Sequence, residues 1–114
     1  MKATYVQRGE YIDHVPAADV HAGDVIVQGK LVGITKLDIK AGELGAIATT
    51  GVFDIMKDAG EIPVGAIVHW NGEKATAAAD NGETGADKVE YTAIGKAVAP
   101  AAAGDASVRV LLNG

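Results

Sequence analysis

Short apolar runs, each entered through a glycine turn, cover most of this chain. Asp24 to Thr35 (DVIVQGKLVGIT) carries β-branched residues on both faces, and its Gln28-Gly29 pair predicts a hairpin or bulge. Ala46 to Ile55 (AIATTGVFDI) continues the pattern, with Gly51 as a bulge or bend. Ala66 to Trp70, the dipeptide Asn71-Gly72 and Glu73 to Thr76 predict a hairpin closed by a type I′ turn. Lys88 to Ala99 and Ala106 to Leu112 predict a strand pair joined by Pro100 to Asp105, while Asp80 to Asp87 (DNGETGAD) reads as a surface loop.

One phrase introduces these runs four times: Val20-His21-Ala22-Gly23-Asp24, Ile39-Lys40-Ala41-Gly42-Glu43, Ile62-Pro63-Val64-Gly65-Ala66 and Ala101-Ala102-Ala103-Gly104-Asp105. Glycine reaches positive φ without a Cβ clash, and a neighbouring acidic residue tolerates turn geometry. The copies are irregularly spaced, so they read as recurring turn chemistry, not solenoid repeats. Helices have little room. The longest glycine-free stretch, Glu10 to Ala22, contains Pro16, which leaves at most one or two helical turns, for instance near Asp54 to Ala59. The expected fold is therefore all-β: a compact small barrel-like body of short strands with little helix. Residues 1–114 are read as one domain, with 1–10 as an extended N-terminal arm.

Composition narrows the function. A chain of 114 residues without cysteine has no disulfide framework, thiol nucleophile or Cys-ligated metal, so packing alone must fold it. With one Trp, one Phe and three Tyr, the core falls to Val, Ile, Leu and Ala. Glycine, at 15 residues, is about twice its usual share of ~7%. So thin a core points to self-association, which buries more apolar surface. The net charge of −5 and the singly scattered lysines disfavour a nucleic-acid partner, which needs clustered Lys and Arg. No apolar run approaches the ~20 residues of a membrane span, and Met-Lys-Ala-Thr-Tyr-Val is no secretory h-region, so synthesis in a cytoplasm is expected.

Catalytic signatures fail one by one. There is no G-x-G, and Gly29-Lys30 and Gly95-Lys96 lack both the following Ser or Thr and the earlier glycine of a phosphate-binding loop. Ser107, the sole serine, stands in a predicted strand without a nucleophile elbow. His14, His21 and His69 carry no metal-ligand spacing, and carboxylate pairs such as Asp80 with Glu83 or Asp24 with Glu43 fall in turns. No catalytic residue, cofactor or metal ligand is assigned. Trp70, beside the Asn-Gly turn, is read as a core or interface anchor, with a ligand-stacking platform as the competing role.

Taken in order, the blocks carry a resemblance. Tyr5 to Asp13, Ala18 to Val27, Leu31 to Thr35, Ala41 to Ala48 with Gly51-Val52-Phe53, Gly65 to Trp70, Ile94 to Ala97 and Ala103 to Gly114 resemble the DUF2190 family of tailed-phage proteins across nearly the whole chain. His14-Val15-Pro16 and Ile62-Pro63 depart from its pattern. The resemblance implies a capsid cement, or head decoration, protein with a β-tulip-like fold, clustered as homotrimers on the outer surface of the phage head. Its implied partner is the lattice of the major capsid protein, with no catalysis, nucleic acid or membrane involved. The docking segment is expected at the N-terminus, where Thr4, Tyr5, Val6, Gln7 and Arg8 form an arm able to extend a neighbour's sheet. A small carbohydrate- or ligand-binding β-module built around Trp70 is the alternative.

Overall fold

Nine strands and one 3₁₀ turn make up the regular structure of the computed structural model, which describes residues 2–5 and 9–113. The strands are β1 (Tyr11–His14), β2 (Val25–Gln28), β3 (Leu31–Thr35), β4 (Gly45–Ala48), β5 (Val52–Met56), β6 (Ile67–Trp70), β7 (Ala75–Thr76), β8 (Thr92–Ala97) and β9 (Ser107–Leu112). They form two antiparallel sheets, ordered β1-β4-β3-β2 and β5-β9-β8-β6-β7. The all-β expectation is met, but the sheets stay open and no barrel closes. The second sheet curls far enough for Lys57, just past β5, to form a single parallel bridge with Ala75 of β7.

The four turn phrases are the joints of a duplicated unit. Each copy closes with a backbone bond across three residues: Asp24 N–H to the His21 carbonyl, Glu43 to Lys40, Ala66 to Pro63 and Asp105 to Ala102. In the first and fourth copies the acidic side chain also closes the turn, since the Asp24 and Asp105 carboxylates accept from the N–H groups of His21 and Ala102. The copies then pair with one another. Val20 and Ile39 exchange reciprocal backbone bonds at 2.9 Å, and Ile62 and Ala101 do the same at 2.9 and 2.8 Å.

The flanking ladders correspond as well. Gly23 N–H donates to the Thr35 carbonyl and Thr35 N–H to Asp24, just as Gly65 donates to Ala97 and Ala97 to Ala66. Strands β1, β2, β3 and β4 thus match β5, β6, β8 and β9, in the same order within each sheet. A shift in length hides the repeat: the two-residue turn Gly29-Lys30 of the first unit is replaced in the second by residues 71–91, which contain β7 and the 3₁₀ turn Gly85–Asp87.

The apolar alternation decides how the units stack. Val32 and Ile34 of the first sheet bury against Ile55, Val68, Val108, Val110 and Leu112 of the second, with Val25, Phe53 and Trp70 partly buried around them. Ile47 is buried on the opposite face of the first sheet, where its side chain fills the space above Gly33. The first sheet is therefore covered on both faces, whereas the second is covered on one. Asn113 ties the units together, its side-chain amide donating to the carbonyls of Val32 (3.0 Å) and Thr49 (2.6 Å).

Two local expectations are corrected. The Asn71-Gly72 hairpin exists, but its loop is the four residues 71–74. The Asn71 side-chain oxygen accepts from the N–H groups of Glu73 and Lys74, and this Asx turn displaces the two-residue type I′ geometry. Of residues 54–59, where a helical turn had room, 54–56 continue strand β5, because pairing with β9 from Val52↔Leu111 to Met56↔Ser107 satisfies their backbone groups, and 57–59 are a single bridge and a bend.

Candidate functional site

The turn phrases and strands place each candidate residue differently. Thr4 and Tyr5 are exposed, outside regular structure, and lead toward the edge strand β1; Tyr5 is 81% accessible. Val6, Gln7 and Arg8 lie outside the described residues. Trp70, at the end of β6, is half-buried against the core and lines a cleft of about 570 Å³ between the sheets, together with Phe53, Ile55 and Ile34. Trp70 therefore both packs against the core and borders open space.

The titratable groups are dispersed. The His14 ring is buried, with its Nδ1 2.6 Å from the Gln28 side-chain amide, whereas His21 sits in an exposed turn and His69 is half-buried on β6. Among the described residues no three His, Asp or Glu side chains converge as a metal site would require. The carboxylates singled out by sequence act locally: Asp24 closes its own turn, and Asp80 accepts from Gly82 N–H with Lys88 3.7 Å away. No helix is long and apolar enough to cross a membrane among the described residues.

Two carboxyl groups show a clear electrostatic signature. The Arg109 guanidinium makes a two-pronged contact with Asp54, at 3.0 and 3.2 Å, and holds the Asp54 carboxyl below its ordinary range. A hydrogen bond from Thr76, opposed in part by desolvation and helped by Gly60 N–H and the nearby lysines, lowers Asp58. Beside it, Lys57 is only 4% exposed, yet its Nζ donates to the carbonyls of Asp58 (2.8 Å) and Ala102 (3.0 Å). This lysine anchors the fourth turn phrase from inside.

Sequence reasoning missed the most distinctive surface. The Asp54–Arg109 pair sits on the outer face of the second sheet, beside a row in which Val52, Leu111, Lys96 and Ile67 are cross-strand neighbours. Its aliphatic members are 53%, 40% and 51% exposed for Val52, Leu111 and Ile67. The signal was present in Leu111-Leu112 and in Ile67-Val68, where consecutive apolar residues make both faces of a strand apolar.

Among the described residues the molecule thus presents two open sheets, turns tied by their own carboxylates and dispersed titratable groups. A family model described as phage cement protein matches residues 6–112, and the chain belongs to that structural family, whose members are associated with the phage capsid. No curated protein and no solved structure matches the chain.

Proposed function

We propose that this protein is a non-catalytic capsid cement subunit. Made in the host cytoplasm, it binds the outside of an assembled head as a homotrimer on the major capsid protein lattice and reinforces the shell. The observation that carries this reading is the family match, which spans both sheets and so the whole duplicated architecture. Physics supports it: repeated weak contacts on a lattice multiply modest affinity through effective concentration, and a stiff β scaffold loses little entropy on docking. The net charge of −5 keeps the subunit soluble and apart from nucleic acid.

The chain works as one domain, and residues 1–10 serve as its docking arm. Thr4 and Tyr5 are solvent-facing, and an extended segment of this kind adds to a sheet edge through backbone hydrogen bonds, with Val6, Gln7 and Arg8 continuing the contact. Mixing the purified protein with expanded heads and sedimenting them tests the reading. The full chain is expected in the pellet and to raise the temperature at which heads rupture. A chain lacking residues 2–8, which keeps the Gly9 carbonyl that accepts from the buried Thr49 hydroxyl, should keep its circular dichroism and melting temperature but stay in the supernatant. Full-length protein that never pellets with heads sinks the cement reading, and unchanged pelleting of the truncated chain sinks the role of the arm.

A further inference from the structure

The duplicated unit supplies a comparison within one molecule. Cross-strand pairing aligns Tyr11, Ala48, Ile34 and Val25 of the first sheet with Val52, Leu111, Lys96 and Ile67 of the second, position for position. In the first sheet Ala48 and Ile34 are buried, and the second sheet covers Ile34 and Val25. In the second sheet the same row is open, with its three aliphatic side chains 40–53% exposed. The chain thus shows what lies over this row when it is covered: apolar surface from this same polypeptide.

A complementary surface is present elsewhere on the molecule. A groove of about 350 Å³ beside β1 and β4 is rimmed by Leu37 and Leu44, which are 76% and 68% exposed, with Tyr11, Lys36, Asp38 and Glu43 around them. Lys36 is held over the Tyr11 ring, 5.1 Å from its centre. Among the described residues the groove therefore carries two carboxylates against one ammonium, while the outer sheet face carries Lys96 and Arg109 against Asp54. One surface is net negative and the other net positive, and both are apolar at their centres. An apolar surface with an opposite charge balance is what association between copies requires.

We propose that the outer face of the second sheet, centred on Leu111, Ile67 and Lys96, docks into the Leu37/Leu44 groove of a second copy of this chain. The contact is heterologous, joining different surfaces of two identical molecules, so it closes into a ring when the rotation between copies permits. It rests on the self-association in the reading above and is independent of binding to the shell.

Sedimentation of the purified full chain over a concentration series tests it. The wild-type chain should sediment as a multiple of the 11.6 kDa protomer. Leu111→Glu, which spoils the face, and Leu44→Glu, which spoils the groove, should each sediment as protomers. Mixed together, they should form a one-to-one pair, because one variant keeps an intact groove and the other an intact face. Lys96→Glu, at an exposed position that leaves folding undisturbed, should weaken association at least tenfold, and mixing it with Glu43→Lys should restore it. A wild-type chain that stays protomeric up to millimolar concentration overturns the inference. So do Leu111→Glu and Leu44→Glu chains that remain separate when mixed, or an association that only the face variant disrupts, which would mean that the face packs on itself. Co-sedimentation with heads separates the two claims: a wild-type oligomer that does not pellet with heads defeats the cement reading and leaves this interface standing.

Discussion

Gly33 and Gly95 occupy equivalent places in β3 and β8, yet a methyl group added to each would meet different neighbours. At Gly33 it would fall 2.4 to 3.0 Å from the side chain of the buried Ile47, which would have to be displaced. At Gly95 it would fall 2.1 Å from the Leu111 backbone carbonyl oxygen, which is fixed by the β8–β9 ladder. Gly33→Ala should therefore cost about 1–3 kcal/mol as ordinary overpacking, and Gly95→Ala distinctly more. Urea denaturation midpoints of the two variants rank them, and equal midpoints would contradict the packing argument. Lys57 makes a second case, since its ammonium fills carbonyl acceptors of the fourth turn from a buried position. Lys57→Met keeps most of the apolar stem but leaves those carbonyls short of a donor, for an expected loss of about 2–3 kcal/mol in the same assay. None of the three residues announces its role in sequence, because each depends on a strand or turn more than a dozen positions away.

At the scale of elements, local chemistry was legible and long-range register was not. The Gln28-Gly29 turn, the bend at Gly51 and the β8–β9 pair follow from residues adjacent in the chain, with Gly29 at φ +62° and Gly51 at φ +118°. The pairing of turn phrase with turn phrase, Val20 to Ile39 and Ile62 to Ala101, crosses different numbers of residues in the two units, so no fixed period betrayed it. The outer sheet face stayed hidden for the same reason, since Val52, Leu111 and Ile67 become neighbours only through pairing. One consequence of the pairing is titratable. Asp58, after β5, is lowered mainly by a hydrogen bond from Thr76 of β7, and Asp54 of β5 mainly by the one from Arg109 of β9. A carboxyl whose folded pKa is depressed binds fewer protons in the native than in the unfolded state. Its stabilisation is present above the unfolded value, near 3.8, and is lost as the pH falls through the lower folded value. The stability that these two carboxyls supply should hold from neutral pH to about 4 and then drop. Thr76→Val should make that drop shallower, and an acid limb of unchanged slope in the variant would mean that Thr76 does not hold Asp58 ionised.

For the molecule as a whole, duplication raises the question of whether the two units fold separately. Each has its own paired turns and its own sheet, which argues for independence. Against that, the buried cluster draws Val32 and Ile34 from one sheet and Val68, Val110 and Leu112 from the other, and Asn113 of the second unit donates to two carbonyls of the first. A unit left alone would expose the residues that the other now covers, at about 25 cal/mol for each Å² of apolar surface, so the shared cluster couples the units. Unfolding should therefore be a single transition. Trp70, the one tryptophan, reports on the second sheet, and amide exchange at Val32 and Ile34 reports on the first. Denaturation followed by Trp70 fluorescence should coincide with loss of protection at those amides, and Val32→Ala should lower both together by about 2 kcal/mol or more. Separated transitions, with the first sheet melting while Trp70 keeps its native signal, would show the interface between the units to be weaker than the paired turns within them. A cement subunit gains from the coupled arrangement, because strain on either sheet is then resisted by the stability of the whole chain.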